Sequence, residues 1–301
     1  MPFSKLHGAG NDYVLVNGLR EEYDWPALST KVSDRHFGVG SDGLIVVTPS
    51  EKADVRMRMF NPDGSESEMC GNGIRCFTKF VLERDLARAG EAGLKVETGA
   101  GILTIVPCYE NGVITRAKVD MGAPILRAPY VPADQSKAGP SDHARLNKSL
   151  VRGLGISPDE LIFDAPITVD GTRFVVTAVS MGNPHAVAFL DTPVKDVDLE
   201  RLGPPMEHHP AFPRRVNFHV ANLVDKRRMV TRTWERGAGQ TLACGTGACA
   251  MVVAARLHGM VESDVTVEVP GGELQITWPG GGPIYMEGPV VEVFTGEVAA
   301  P

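Results

Sequence analysis

The 301-residue chain has little of several features that mark particular classes of protein. It contains five cysteines, and none of them forms a C-x-x-C pair. This usage disfavours a secreted disulfide framework and a zinc site, and it predicts free thiols in a reducing compartment. Acidic residues outnumber basic residues by 37 to 30, with the two signs interspersed. That balance argues against nucleic acid or an anionic membrane as a partner, so a small-molecule substrate is expected.

Long hydrophobic runs are also missing. No apolar stretch approaches the roughly 18 residues that are needed to span a bilayer, and residues 1–10 lack the apolar region of a signal peptide. These absences predict a cytoplasmic protein. The hydrophobic content of 43% is nevertheless ample for globular cores, and the length favours two domains.

Two cysteines stand in glycine-rich turns that lead into apolar, helix-forming runs. The turns are residues 70–73 (CGNG) and 244–247 (CGTG), and helices are predicted over residues 74–86 and 248–258. The first N–H groups of a helix have no intrahelical acceptor, and the helix dipole is positive at that end. Each turn therefore predicts a stabilised thiolate beside a binding position for a carboxylate.

The cysteine turns belong to a longer set of markers that occurs twice in the same order. A Gly-Asn pair precedes the cysteine by 59 positions in the first copy and by 61 positions in the second. A strand-like pattern with matching Val-Glu, Gly, Leu and Ile positions follows each helix. The markers are Gly10-Asn11, Cys70 and residues 96–105 in the first copy, and Gly182-Asn183, Cys244 and residues 267–276 in the second. An ordered repeat of this kind predicts an internal duplication.

The duplication predicts the domain organisation. One domain is expected to comprise residues 1–121 plus 289–301 and to contain Cys70. The other is expected to comprise residues 122–288 and to contain Cys244. The remaining cysteines on the two helices, Cys76 and Cys249, point away from the turns on a helical projection, so we predict that they lie in the core.

A pair of thiols in a duplicated chain suits inversion of a carbon that bears hydrogen. One base removes the proton from one face while an acid delivers a proton to the other, and thiols at helix termini can be poised near neutral pH. We therefore expect Cys70 and Cys244 to face each other across a cleft, with no metal and no cofactor. The backbone N–H groups expected to hold the substrate α-carboxylate belong to Gly71, Asn72, Gly245 and Thr246.

Other polar residues fall near the repeated turns, and several have an ordinary structural alternative. An asparagine at a strand entry, such as Asn11, can satisfy its own turn, and a single histidine such as His185 is more often structural. The acid–base pair Glu235-Arg236 would usually be a solvated surface pair. The positions of Asn11 and His185 in the repeat favour function instead. Glu235 and Arg236 precede glycines that lead to Cys244, so we expect Glu235 to face a substrate ammonium and Arg236 a substrate carboxylate. Further candidates are Asn61, Asn183 and Asn217.

These motifs resemble those of diaminopimelate epimerase over essentially the whole chain. The matching segments are residues 7–12 (HGAGND), 61–66 (NPDGSE), 70–76 (CGNGIRC), 182–185 (GNPH), Asn217, 235–239 (ERGAG) and 244–247 (CGTG). The resemblance implies an α/β (α+β) fold of two pseudo-symmetric domains, each a mixed, largely antiparallel sheet wrapped round a central helix. It also implies a pyridoxal-independent two-base enzyme that interconverts LL- and meso-2,6-diaminopimelate on the lysine and peptidoglycan route. A homodimer is the expected assembly.

The resemblance also assigns roles to individual residues. Cys70 and Cys244 become the acid/base pair, and His185 and Glu235 assist at the reacting centre. The residues that would hold the amino and carboxylate groups, chiefly of the distal centre, are Asn11, Asn61, Asn183, Asn217 and Arg236. Because a buried guanidinium without a partner is costly, Arg236 predicts a second carboxylate on the substrate.

Three other functions would share the two thiols. A racemase of the proline or hydroxyproline type needs no groups for a second amino-acid end. A thiol-disulfide oxidoreductase or redox sensor would leave the asparagines, His185 and Glu235 without a role. A non-catalytic amino-acid-binding protein would have no use for two activated thiols.

A few segments depart from the family pattern or predict only surface structure. Gly43 stands where some members carry glutamine, and Gln240 stands where many carry glutamate. Residues 129–140 are predicted as surface loop, with a short helix at residues 144–154. The segment 133–164 is longer than usual for the family. Residues 204–213, which include a His-His pair, are predicted as a solvated loop rather than a metal site.

Overall fold

The computed structural model describes residues 1–299, and the chain divides into two compact units. Unit 1 comprises Met1–Asp120 and Glu287–Pro301, and unit 2 comprises Met121–Met286. Unit 1 is therefore assembled from two stretches that are far apart in the sequence.

Unit 1 is a mixed sheet that surrounds one helix. Its elements are β1 (Pro2–Gly8), β2 (Asn11–Asn17), α1 (Trp25–Ser33), β3 (Leu44–Thr48), β4 (Val55–Phe60), β5 (Glu66–Ser67), α2 (Gly71–Leu82), β6 (Leu94–Thr98), β7 (Gly101–Glu110), β8 (Val113–Asp120) and β18 (Val291–Glu297). Along the sheet, β1 and β2 pair antiparallel, β2 and β3 parallel, β3 and β4 antiparallel, β4 and β6 parallel, and β6 and β7 antiparallel. Strand β18 pairs antiparallel with β1, and β7 pairs antiparallel with β8.

Helix α2 is the central helix of unit 1. It packs against β1, β2, β3, β7 and β8, and it is buried from Gly71 through Val81. It begins earlier than predicted because Cys70 is the N-cap and the glycine turn itself forms the first helical turn. It ends earlier because the chain reaches a left-handed conformation at Asp85, with φ of +51°, which an α-helix cannot continue through.

Unit 2 repeats the same order of pairings. Its elements are α3 (Lys148–Gly153), β9 (Ala165–Val169), β10 (Thr172–Ser180), β11 (Pro184–Phe189), α4 (Leu199–Glu207), β12 (Asn217–Asp225), β13 (Arg228–Glu235), β14 (Gly239–Gln240), α5 (Gly245–Leu257), β15 (Asp264–Val269), β16 (Gly272–Thr277) and β17 (Tyr285–Pro289), whose last residues belong to unit 1. Strands β10 and β11 pair antiparallel, β11 and β12 parallel, β12 and β13 antiparallel, β13 and β15 parallel, and β15 and β16 antiparallel. The predicted fold, a duplicated mixed sheet round a central helix, is confirmed.

Helix α5 is the central helix of unit 2. It packs against β10, β11, β12 and β16, and almost every residue from Gly245 to Leu257 is buried. A helix that is apolar on all sides is expected to be buried in this way. The predicted core positions of Cys76 on α2 and Cys249 on α5 are confirmed, since both side chains are fully buried. Within residues 1–299, none of the helices is long and apolar enough to cross a membrane.

Two predictions about the surface of unit 2 are corrected. The short helix near residues 144–154 is only Lys148–Gly153, because the Asn147 side chain accepts a hydrogen bond from Leu150 N and so fixes the start of the helix. Residues 204–213 do not begin as a loop, since α4 extends through Pro204 and Pro205 to Glu207. Asp198 caps this helix, and burial of its apolar side offsets the two missing N–H donors.

Candidate active site

Cys70 lies at the N-cap of α2 in extended backbone geometry, and its side chain is half-buried. Its Sγ accepts a hydrogen bond from Gly73 N at 3.4 Å. A Cβ at position 73 would lie 2.9 Å from Ile45 Cδ1, so the second glycine of the CGNG turn is needed for space. Sequence and packing together place this thiol at the N-terminal, positive end of a buried helix, within reach of its first N–H groups.

Tyr13 contacts the same thiol, and the sequence analysis did not identify it. Its hydroxyl lies 3.0 Å from Cys70 Sγ. Burial, and then the negative charge that Cys70 can carry, raises the pKa of Tyr13 well above its ordinary value of 10. The phenol is therefore protonated at neutral pH and can donate to a thiolate. The sequence signal was its position two residues after Asn11, which matches that of His185 after Asn183 in the second copy.

The structure brings two of the predicted asparagines of unit 1 together. Asn72 Nδ2 donates to Asn11 Oδ1 at 2.7 Å, and Asn72 Oδ1 accepts from the fully buried Arg75 at 2.9 Å. Asn11 Nδ2 in turn donates to Asp42 Oδ2 at 3.2 Å. These bonds fix both amides next to the first turn of α2. Asn61 does not join them by a direct bond, because its Nδ2 donates to Ser65 Oγ within its own turn.

Cys244 lies at the N-cap of α5 and, unlike Cys70, is buried. Its Sγ is 3.6 Å from Thr246 Oγ1. Burial, and next the negative charge of Glu235, raises the pKa of Cys244 well above its ordinary value of 9. Cys244 is therefore a protonated thiol at neutral pH, hydrogen-bonded to the Glu235 carboxylate. The stabilised thiolate predicted for this turn is wrong, because burial and the Glu235 charge outweigh the helix N-terminus.

Glu235 is held beside Cys244 by Thr241, another residue that the sequence analysis missed. Thr241 Oγ1 donates to Glu235 Oε1 at 2.5 Å. Burial raises the pKa of Glu235, while the bonds from Thr241 and Cys244 lower it. A carboxyl group poised in this way can exchange a proton with the neighbouring sulfur.

His185 is fully buried, and both ring nitrogens have partners. Nε2 lies 2.9 Å from Asn183 Oδ1, and Nδ1 lies 2.8 Å from Nε2 of His219. Burial, and then the nearby charges of His219 and Arg236, lowers the pKa of His185 well below 6.5. The ring is therefore neutral. Sequence reasoning missed His219 because its place beside His185 depends on the parallel register of β11 and β12.

Asn217 organises the turn that carries Arg236. Asn217 Nδ2 donates to Pro184 O at 2.9 Å, and its Oδ1 accepts from Arg236 N at 2.9 Å. The expectation of a buried Arg236 guanidinium is wrong for this structure. Arg236 is exposed, and its Nη1 donates to the carbonyl oxygen of Arg214 at 3.0 Å. The backbone of the turn is fixed by Asn217, while the charged end of Arg236 extends into solvent.

A sequence model of the diaminopimelate epimerase family matches residues 3–126 and 177–293. The chain belongs to the diaminopimelate epimerase family. The two matched stretches contain both cysteine turns and all the candidate residues described above. They leave out residues 127–176, most of which make up the segment that is longer than usual.

Members of the family from distant organisms align with nearly the whole chain. The diaminopimelate epimerase of Acetivibrio thermocellus is 46% identical over 99% of this chain and 98% of its own length. That of Moorella thermoacetica is 47% identical over 99% of both chains, and that of Methanococcus maripaludis is 43% identical over 99% of both. Such relatives support an epimerase, an enzyme of the isomerase class.

Solved structures of more distant proteins share the fold. A phenazine biosynthesis protein of the PhzF family from Bacillus anthracis has a TM-score of 0.63 at 21% identity, over 99% of both chains. A hydroxyproline epimerase from Agrobacterium vitis, solved with trans-4-hydroxy-L-proline, has a TM-score of 0.65 at 15% identity, over 99% of this chain and 90% of the other. At these identities the likeness concerns the architecture alone.

Proposed function

We propose that this member of the diaminopimelate epimerase family interconverts LL- and meso-2,6-diaminopimelate by a cofactor-independent, two-base mechanism. The observation that carries the proposal is the repeated placement of a thiol. In each of two units with the same strand pairings, a cysteine is the N-cap of the buried central helix. Relatives that are 43–47% identical over nearly their full length carry the name of this activity.

In the proposed reaction, one cysteine acts as a thiolate and the other as a thiol. The thiolate removes the α-proton from one face of the substrate carbon, and the thiol delivers its proton to the opposite face. The two cysteines exchange protonation states in each turnover, so the reverse reaction uses them in exchanged roles. That Cys70 and Cys244 meet the same carbon stays a prediction. Support comes from the resting thiol at Cys244, which is protonated beside Glu235 and so suited to act as the acid.

The first turns of α2 and α5 would bind the substrate α-carboxylate. Negative charge that develops on this group during proton removal is stabilised by helix N–H groups and by the helix dipole. Backbone groups of Gly71, Asn72, Gly245 and Thr246 are proposed for this role. Asn11, Asn61, Asn183, Asn217 and Arg236 are proposed to hold the remaining amino and carboxylate groups. The exposed Arg236 side chain would have to leave the Arg214 carbonyl to bind a carboxylate.

Exchange of the α-hydrogen with solvent tests the proposed function. Purified protein in D₂O with LL-diaminopimelate should incorporate deuterium at one α-carbon and form the meso isomer. L-Lysine, which has the distal amine but lacks the distal carboxylate, should react more slowly by a factor on the order of 10⁴, because a site that bonds a substrate group rejects analogues without it. Comparable rates for the two amino acids would instead identify a general amino-acid racemase.

Substitution of the thiols gives the first mutational prediction. Cys70→Ser or Cys244→Ser should lower the rate of epimerisation by several orders of magnitude, since a hydroxyl is a far poorer proton carrier near neutral pH. The KM for diaminopimelate should change little. Cys108→Ser, at a half-buried cysteine on β7 in unit 1, is the matched control and should leave the rate unchanged. Near-normal epimerisation by Cys244→Ser would rule out the pairing.

We also infer that the protein is a cytoplasmic homodimer. Free thiols at all five cysteines suit a reducing compartment. Strand β18 exposes three large apolar side chains, those of Val291, Val293 and Phe294, and an exposed apolar patch of this kind often marks an interface. Sedimentation velocity separates a dimer from the 32.3 kDa monomer, and Phe294→Asp should favour the monomer.

A further inference from the structure

A continuous series of polar contacts runs through unit 2 from strand β13 to the sulfur of Cys244. Its members are Thr233, His219, His185, Asn183, Thr246 and Cys244. The successive distances are 2.8 Å from Thr233 Oγ1 to His219 Nδ1, 2.8 Å from His219 Nε2 to His185 Nδ1, 2.9 Å from His185 Nε2 to Asn183 Oδ1, 3.3 Å from Asn183 Nδ2 to Thr246 Oγ1, and 3.6 Å from Thr246 Oγ1 to Cys244 Sγ.

The direction of donation along this series follows from the Asn183 amide. Because Asn183 Oδ1 can only accept, the facing His185 Nε2 must carry hydrogen. In a neutral ring, His185 Nδ1 is then an acceptor, so His219 Nε2 must donate to it. His219 Nδ1 is left to accept from the hydroxyl of Thr233.

The same reasoning continues to the sulfur. Asn183 Nδ2 donates to Thr246 Oγ1, which leaves the Thr246 hydroxyl hydrogen free to point at Cys244 Sγ. The sulfur therefore receives a donor on one side while Glu235 accepts from the thiol on another. In each contact of the series one atom donates and the other accepts. Moving the proton of either histidine to its other ring nitrogen would place two donors or two acceptors opposite each other.

Both rings are in an environment that keeps them neutral. His185 and His219 are fully buried, and burial lowers the pKa of His219 to about 3. Burial is the main cause of the lowered pKa of His185, and the neighbouring His219 and Arg236 also disfavour its protonation. The neutral state that the donor sequence requires is thus stable at physiological pH.

The fold makes room for His219 at one glycine. A Cβ at Gly247 would lie 2.3 Å from His219 Cε1, so the second glycine of the CGTG turn is what allows the ring to pack against α5. The corresponding glycine of unit 1, Gly73, faces the apolar side chain of Ile45 instead. In unit 1 the Tyr13 hydroxyl contacts the thiol of Cys70 directly. In unit 2 the series of contacts that begins at Thr233 passes through His219 and ends at the thiol of Cys244.

We propose that His219 is a positioning residue of the Cys244 half of the site. Together with Asn183 it holds His185 as the neutral Nε2–H form, and through His185, Asn183 and Thr246 it supports a hydroxyl donor directed at the Cys244 sulfur. His219 itself touches no reacting atom. The consequence for catalysis rests on the proposed function, while the arrangement of protons does not.

The experiment uses NMR of the full chain labelled with ¹⁵N-histidine and with cysteine carrying ¹³C at Cβ. Ring ¹⁵N shifts distinguish the two neutral forms of histidine, and the Cys244 ¹³Cβ shift followed against pH reports its ionisation. We expect the Nε2–H form for His185 in the parent protein. In His219→Leu the His185 Nδ1 has no donor opposite it, so it can carry the proton when the Asn183 amide turns, and His185 should become a mixture of the two forms. Ionisation of Cys244 should also move to higher pH, because its sulfur loses an oriented donor.

His219→Gln is the conservative variant, since its amide can place an N–H near the position of His219 Nε2. It should restore the Nε2–H form of His185 and most of the activity. In His219→Leu, kcat should fall by about 10- to 100-fold, by analogy with the loss of groups that orient metal-binding histidines, with KM nearly unchanged. Thr233→Val should change the His185 ring shifts and the Cys244 titration in the same direction, by a smaller amount. Because valine has nearly the same shape as threonine, this variant keeps the test valid if His219→Leu does not fold.

Two results would overturn the proposal. One is a parent protein in which His185 carries its proton on Nδ1. The other is a folded His219→Leu or Thr233→Val protein with the parent values for both the ring shifts and the Cys244 titration. If the parent protein does not exchange the α-hydrogen of diaminopimelate, the proposed function fails, and the NMR results still decide the role of His219.

Discussion

At the scale of single residues, the two thiols have unlike neighbours. Cys70 meets the neutral hydroxyl of Tyr13, whereas Cys244 meets the carboxylate of Glu235. A carboxylate next to a buried thiol favours the protonated sulfur, whereas a phenol can donate a hydrogen bond to a sulfur. The duplicated halves are therefore alike in backbone, and their two sulfurs have different polar partners.

Removal of the Tyr13 hydroxyl tests this difference. Tyr13→Phe should lower kcat by about 10- to 100-fold, since a hydrogen bond to a charged group contributes about 1.5–3 kcal/mol. The free energy of unfolding should fall only by about 1 kcal/mol, because the ring remains packed. Tyr109→Phe, at an exposed tyrosine of the same unit, is the control and should match the parent protein. A Tyr13→Phe enzyme with normal kcat would show that the contact is only structural.

At the scale of elements, each central helix depends on a glycine in its first turn. For α5, a methyl group at position 247 would overlap the His219 ring. Gly247→Ala should therefore lower the free energy of unfolding by about 1–3 kcal/mol, although alanine is intrinsically the better helix former. Urea denaturation measures this change.

Gly153→Ala on α3 is the matched control for that substitution. No atom lies within 4 Å of a Cβ built at position 153. Its free energy of unfolding should stay the same or rise, by about 0.5–1 kcal/mol at most. Equal effects of the two substitutions would mean that the space next to His219 is not limiting.

The sequence predicted the elements whose signals are local. The glycine turns and apolar runs located α2 and α5, and the repeated order of markers predicted the duplication that the strand pairings show. Helix α4 was missed because its two prolines are a strong local signal against a helix, and only burial of its apolar side and the Asp198 cap outweigh them. The end of α2 depended on the left-handed Asp85, for which the sequence gives no specific signal.

The residues of the candidate site also differ in whether their sequence signals are local. Cys70, Cys244 and Glu235 were identified because they lie in or next to repeated motifs. His219 was not, since its meeting with His185 depends on the register between β11 and β12, which joins residues 34 positions apart. The burial of the Arg236 guanidinium was predicted wrongly, because the sequence position of a residue gives no information about the direction of its side chain.

At the scale of the whole molecule, buried neutral histidines make stability depend on pH. Burial lowers the pKa of His219 to about 3 and that of His258 to about 4, and it lowers that of His185 well below 6.5. In the unfolded chain these rings titrate near a pKa of about 6.5. Below about pH 6.5 these histidines bind protons in the unfolded chain, whereas in the folded chain they stay neutral. Stability is therefore full above about pH 6.5 and is lost as the pH falls towards 3 to 4.

His219→Gln isolates one of these contributions. Each buried neutral histidine removes up to about 1.4 kcal/mol per pH unit in that window. Between about pH 7.5 and about pH 5, the parent protein should lose roughly 2 kcal/mol more of its free energy of unfolding than the variant. Urea titrations at both pH values give the comparison, in which the carboxyl groups common to both proteins cancel. Parallel pH profiles would mean that His219 is protonated in the folded state.

The division of unit 1 into two stretches has a consequence for synthesis on the ribosome. Strand β1 emerges first, but one of its two partners, β18, lies beyond the whole of unit 2. At translation rates of about 5–20 residues per second, the edge of β1 that pairs with β18 stays unpaired for on the order of ten seconds or more. An unpaired strand edge is a template for pairing with other chains. Nascent chains of this protein should therefore be most prone to aggregate, and most dependent on chaperones, in the interval before β18 leaves the ribosome.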